Sequence, residues 1–157
     1  MSGGRCQFFK LPEEKDFLWK KESILKHLKG IDLAFICNPN NPTGRLISKE
    51  DLLFIVTACE KWEATIVVDE AFIDFVEDYN HFTLVSEVVP NENLLILRSL
   101  TKFFALAGLR VGYIVGAKRI IKELEGKQSP WSVNGLGQIA AREALKDQNF
   151  IEKTKSY

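Results

Sequence analysis

Four strand-like runs, apolar almost throughout, constrain this chain more than any other feature: Asp32–Cys37, Thr65–Asp69, Leu94–Leu97 and Val111–Val115. A strand with one wet face alternates apolar and polar residues, whereas a strand covered on both faces does not. These runs are of the second kind. Between them lie segments with helical spacing. Glu13–Lys29 is predicted as an amphipathic helix, with Phe17, Leu18, Ile24, Leu25 and Leu28 on one side and Gly30 as its C-terminal cap. Ser48 opens a helix to about Trp62, with Asp51 three residues on as in a capping box. Phe82–Val89 reads as a short helix stopped by Pro90, and Ala117–Glu125 and Gly135–Lys146 follow as helices. Strands alternating with helices predict an α/β fold, a largely parallel sheet covered by helices on both faces. No repeat, low-complexity stretch or internal linker divides residues 1–157, so one domain is expected.

Charge and cysteine content narrow the partners. Twenty-one basic residues balance twenty-one acidic ones, which gives no reason to expect nucleic acid or an anionic membrane surface. The lysines between Lys15 and Lys29 are interleaved with acids and read as a solvated face. Cys6, Cys37 and Cys59 are odd in number and lack metal-ligand spacing, so neither a disulfide framework nor a metal site is expected. His27 and His81 stand in no motif. With no signal-like segment and no run of the ~18 apolar residues a bilayer span needs, a cytoplasmic location is expected.

Ligands of open α/β sheets gather at the carboxyl ends of the strands, and the unusual residues of this chain cluster there. FICNPNNPTG (Phe35–Gly44) follows the first strand, Asp69 and Glu70 end the second, and Arg98-Ser99-Leu100-Thr101-Lys102 follows the third. Lys102 is flanked by Phe103, Phe104, Ala105 and Leu106. A desolvated ammonium loses its proton more readily and becomes a nucleophile able to form a Schiff base with an aldehyde; a lysine snorkelling to water is the competing reading. Asp69, ending a strand of Thr, Ile and Val, needs a partner such as a protonated ring nitrogen, unless it serves as a turn or cap acid. Ser99 and Arg110, on either side of Lys102, could grip a phosphate. Nucleotide binding is disfavoured, because neither GxGxxG nor GxxxxGK[ST] occurs.

The blocks FICNPNNPTG, VVDEAFIDF, RSLTKFFALAGLRVGY and SPWSVNGLGQIAA, in that order, resemble the fold type I pyridoxal-phosphate enzymes of the class I/II aminotransferase group. Within it they look most like the branch of histidinol-phosphate aminotransferase and threonine-phosphate decarboxylase. The resemblance implies pyridoxal 5'-phosphate as cofactor, with Lys102 as its Schiff-base lysine and the shuttle for the substrate proton. It implies Asp69 opposite the pyridine nitrogen, Asn41 as donor to the phenolic oxygen, Ser99 and Arg110 on the phosphate, and Thr101 assisting.

Phe72 stands where many aminotransferases of the group carry a tyrosine. DEAFIDF and PWSVN together look more like the decarboxylase, so the resemblance implies a lyase that decarboxylates threonine phosphate in cobalamin biosynthesis. The alternatives are a histidinol-phosphate aminotransferase-like transaminase and a non-catalytic fragment of either. The expected substrate is a small phosphorylated amino acid. Family members are longer, dimeric chains, so the resemblance implies that residues 1–157 are the central part of the large cofactor-binding domain. An N-terminal segment and a small C-terminal domain would lie outside them, and the full-length protein would be a homodimer.

Overall fold

The chain is described by a computed structural model covering residues 3–156, so the outermost positions of the expected domain 1–157 lie outside the described residues. Four strands form one sheet in the order β1 (Leu33–Cys37), β2 (Thr65–Asp69), β3 (Leu94–Ser99), β4 (Gly112–Gly116). β1, β2 and β3 are parallel, with Cys37 opposite Asp69 and Asp69 opposite Leu97. β4 runs antiparallel to β3 and places Gly112 opposite Ser99. The 100–111 connection holds a single 3-10 turn, Ala107–Leu109, and no crossover helix. Without a crossover, β4 returns beside β3 in the opposite direction. The sheet is therefore largely parallel, with one antiparallel edge strand.

Of the helices, α1 is Leu25–Leu28, α2 is Lys49–Glu60, α3 is Lys118–Glu125, α4 is Gly135–Ala144 and α5 is Gln148–Lys155. Side chains alternate along a strand, so Ile66, Val68, Leu94 and Ile96 share one face. That face packs against Leu52, Ile55, Val56 and Cys59 of α2. On the other face α3 approaches so closely that a Cβ at Gly116 would meet Leu95 Cδ2 at 2.6 Å and Ile120 and Ile121 at 3.4 Å. Helices thus lie on both faces, as the apolar strands require. A second cluster, Leu100, Phe103, Phe104, Val111 and Ala141, joins the 100–111 connection to α4 and α5.

The expected helix Glu13–Lys29 is instead three short pieces: 3-10 turns at Glu13–Lys15 and Lys21–Ile24, then α1. Asp16 and Phe17 take left-handed φ angles of 52° and 61°, which no helix continues through. Arg45 holds that bend, donating from Nε to the Asp16 carbonyl at 3.0 Å and pairing with its carboxylate. Only the C-terminal part keeps the expected burial, at Ile24 and Leu28, while Leu18 and Leu25 are exposed. Gly30 ends the segment with φ +73°. The Phe82–Val89 helix reduces to one 3-10 turn, Val85–Glu87. The last predicted helix stops two residues early, and α5 follows with Asp147 as its cap, accepting from Phe150 N–H at 2.9 Å.

Candidate active site

After β1, Asn38 N–H extends the ladder to the Asp69 carbonyl at 2.9 Å. The Asn38 side chain is fully buried. It accepts from Ile47 N–H at 2.8 Å and donates to the carbonyls of Ile47 at 3.2 Å and Phe82 at 3.4 Å. Asn40 closes the next turn: its amide donates to Thr43 Oγ1 at 2.7 Å and its carbonyl accepts from Gly44 N–H, also at 2.7 Å. Gly44 supplies the positive φ of +68° that this turn requires. The Asn38–Pro39 and Asn41–Pro42 bonds are cis. Two of the three asparagines are thus consumed in building the loop. Asn41 is exposed and lines a cleft of about 320 Å³ with Pro39, Pro42, Phe72, Phe75 and Val76.

Asp69 ends β2 half-buried, on the same sheet face as Cys37 directly opposite. Its Oδ1 accepts from Ala71 N–H at 2.9 Å, which orients the carboxylate across the strand end. The Cys37 thiol donates to the Pro39 carbonyl at 3.1 Å. Burial pushes that thiol up, a backbone hydrogen bond from Asn41 pulls it down, and the Asp69 charge adds to the rise. Cys37 is consequently a neutral neighbour of Asp69 at pH 7.

At the end of β3, Ser99 Oγ lies 2.7 Å from Thr101 Oγ1, accepts from Thr101 N–H at 3.3 Å and receives the Lys102 ammonium at 3.3 Å. Lys102 Nζ also stands 5.5 Å from the centre of the Phe72 ring, within cation–π range. The apolar surroundings expected of Lys102 are not there: its side chain is exposed. Phe103 and Phe104 turn inward instead, edge-on to each other at 5.1 Å, with Phe75 against Phe103 at 5.2 Å. The β3–β4 ladder continues past Ser99 through Leu100 N–H to the Val111 carbonyl at 3.2 Å, so Arg110 reaches the same end of the sheet. Arg110 has a left-handed φ of 51°, and its guanidinium donates to its own loop, at the Ala107 carbonyl, 3.2 Å away. The structure therefore joins Ser99, Thr101, Lys102 and Phe72, seats Asn41 and Phe72 in one cleft, and holds Arg110 nearby but turned to its own turn.

One constellation was not foreseen. Arg98 Nε donates to Glu70 Oε2 at 2.8 Å, Nη1 to Asp74 at 3.1 Å and Nη2 to Thr83 Oγ1 at 3.0 Å. Glu70 also accepts from Thr83 Oγ1 at 2.7 Å and Leu84 N–H at 3.0 Å. Side-chain exposure is 0% for Glu70 and 7% for Arg98. Burial raises the Glu70 carboxyl, against the pull of its donors and of Arg98. The signal was present in the sequence: a charged residue adjoining each of two buried strand ends must find a partner.

The aminotransferase class I and II family model matches residues 1–157. The chain belongs to that family. Over 157 residues it is 34% identical to a Caldanaerobacter subterraneus subsp. tengcongensis protein named "Putative threonine-phosphate decarboxylase", covering all of this chain and 43% of that one. It is 40% identical over 141 residues to a histidinol-phosphate aminotransferase of Thermoanaerobacter sp. (strain X514), covering 88% of this chain and 38% of that one. The crystal structure of the histidinol-phosphate aminotransferase from Clostridium acetobutylicum superposes with a TM-score of 0.83 at 38% identity, covering 94% of this chain and 43% of that one. The chain thus spans about two fifths of the length of these relatives. The class I and II family is pyridoxal-phosphate dependent. The groups at the strand ends fit that cofactor: a carboxylate to accept from a ring nitrogen, an exposed amide for a phenolic oxygen, two hydroxyls and a guanidinium for a phosphate, and an amine for an aldehyde. Among the described residues no cluster of His, Cys, Asp or Glu could hold a metal ion, and no helix is long and apolar enough to cross a membrane.

Proposed function

We propose that this chain is the central part of the large cofactor-binding domain of a pyridoxal-phosphate enzyme that decarboxylates a small phosphorylated amino acid, threonine phosphate. The observation that carries the reading is the contact cluster of Lys102, Ser99, Thr101 and Phe72 at the end of β3, with Asp69 ending β2 and Asn41 on the β1 loop. When bound, the cofactor supplies an electron sink for the carbanion left as a substrate bond breaks. Lys102 would hold its aldehyde carbon and would carry the proton at the substrate carbon. Asp69 would keep the ring nitrogen protonated, Asn41 would donate to the phenolic oxygen, and Ser99, Thr101 and Arg110 would hold the phosphate.

Phe72 favours decarboxylation over amino transfer. It offers a ring face beneath Lys102 and no second donor beside Asn41. Amino transfer is the second reading, supported by the relatives named histidinol-phosphate aminotransferase. In this proposal the full-length enzyme is a cytoplasmic homodimer of cobalamin biosynthesis.

Incubation with pyridoxal phosphate, borohydride reduction and peptide mapping test the site; an unmodified Lys102 leaves the non-catalytic reading in its place. Carbon dioxide release from threonine phosphate, against amino transfer to 2-oxoglutarate, then separates the two reactions.

A further inference from the structure

Strand alternation puts Asp69 and Ser99 on one face of the sheet and Glu70 and Arg98 on the other. Glu70 N–H donates to the Leu97 carbonyl at 2.9 Å, so the β2–β3 ladder carries on until Glu70 stands beside Arg98. Their side chains close the ion pair at 2.8 Å, immediately behind the two site residues. The third and fourth partners of the cluster, Asp74 and Thr83, belong to the 70–84 excursion that also carries Phe72. Among the described residues every buried side-chain nitrogen and oxygen has a partner, so no buried polar atom of the cluster is left waiting for a ligand. The three hydrogen bonds of Arg98 run between β3 and the excursion, and those from Thr83 and Leu84 to Glu70 close the excursion on itself.

We propose that Arg98 is a positioning residue for the candidate site: its guanidinium, fixed to Glu70, Asp74 and Thr83, sets where Phe72 stands under Lys102 and where Ser99 stands relative to Asp69. A buried ion pair is a poor source of net stability, because desolvation offsets most of the attraction. What a planar fork with three separate acceptors supplies is direction. Lysine, a point charge on a flexible stem, cannot reproduce it. The cluster touches neither Lys102 nor the cleft, and acts through the neighbours of both.

The inference rests on the cofactor-site reading, and the test keeps the two apart. Wild type, Arg98→Lys and Asp74→Asn are incubated with pyridoxal phosphate and reduced, and the trapped pyridoxyl groups are mapped lysine by lysine. Circular dichroism and melting are measured alongside. Arg98→Lys keeps the charge. Asp74→Asn leaves the Glu70–Arg98 pair intact and changes a partly exposed partner, so it serves if the first variant fails to fold. The expected result is a folded variant in which labelling of Lys102 slows about tenfold for Arg98→Lys and severalfold for Asp74→Asn, while exposed lysines such as Lys118 label as in wild type. A purely structural role lowers the melting temperature without changing that selectivity. Folded variants that label Lys102 at the wild-type rate overturn the positioning role alone. A wild type that takes no pyridoxyl group on Lys102 overturns the site reading and the positioning role with it.

Discussion

Lys102 Nζ lies 3.3 Å from the hydroxyl of Ser99, three residues back along the chain, and that hydroxyl is also 2.7 Å from Thr101 Oγ1. One oxygen therefore ties the candidate nucleophile to the second hydroxyl assigned to the phosphate. Ser99→Ala removes the tie but leaves the strand and the core beneath it. A lost hydrogen bond to a charged group is worth about 1.5–3 kcal/mol, which corresponds to roughly ten- to 150-fold weaker binding of pyridoxal phosphate. A spectroscopic titration measures it, and an unchanged dissociation constant would remove Ser99 from the site. The melting temperature should move by only about 2 °C.

Asn41 and Phe72 share one cleft, yet only Asn41 carries a donor. If Asn41 alone serves the phenolic oxygen, its loss is expensive: hydrogen bonds to charged groups are worth about 1.5–3 kcal/mol. In the Phe72→Tyr background a second donor becomes available, and Asn41→Ala should cost about 1 kcal/mol less. The double-mutant cycle on cofactor affinity isolates that difference. Equal penalties in both backgrounds would show that the two positions serve different atoms.

What was legible in the sequence was whatever depended on local pattern. Thr65–Asp69 is the strand β2 to the residue, because β-branched residues between a turn and an acid have few other conformations. Ser48 caps α2 by accepting from Asp51 N–H at 3.1 Å, as the capping-box spacing implied. What was missed depended on residues far apart in sequence. Asp16 and Phe17 lie in an apolar pattern of helical period, but the bend there is held by Arg45, on the loop after β1. Arg98 is 28 residues from Glu70, and nothing in either neighbourhood names the other. At Lys102 the composition misled: Phe103 and Phe104 are apolar neighbours in the chain, yet they fill the core below and leave the ammonium in water.

Cys59 is fully buried on the sheet-facing side of α2, and burial pushes its thiol from 9.0 up to about 11. A thiol raised in the folded state keeps its proton after the unfolded chain has released it. The contribution of Cys59 to stability is therefore full below about pH 9 and is lost as pH climbs toward 11, about 2–3 kcal/mol at most. At pH 8 the thiolate fraction of Cys59 is on the order of one in a thousand, so a disulfide reagent should find it inert in the native chain. Exposed Cys6 should react at once and half-buried Cys37 slowly. The third equivalent should appear only with denaturant; three fast equivalents in native buffer would contradict the buried placement.

The sheet ends at β1 and β4, whose outer edges have no strand beside them among the described residues. Phe35 on β1 is 68% exposed, and beyond the sheet Trp131 is 95% and Leu136 74% exposed. Open strand edges next to large apolar side chains favour pairing with another copy. At micromolar concentration the 157-residue chain should scatter light as a species larger than its 17.9 kDa. Phe35→Lys and Leu136→Glu, each at a position the core does not use, should shift it toward the monomer without lowering its melting temperature by more than about 2 °C. A wild-type chain that stays monomeric through the same concentration range would mean that these edges and side chains are covered in solution by a rearrangement of the chain itself.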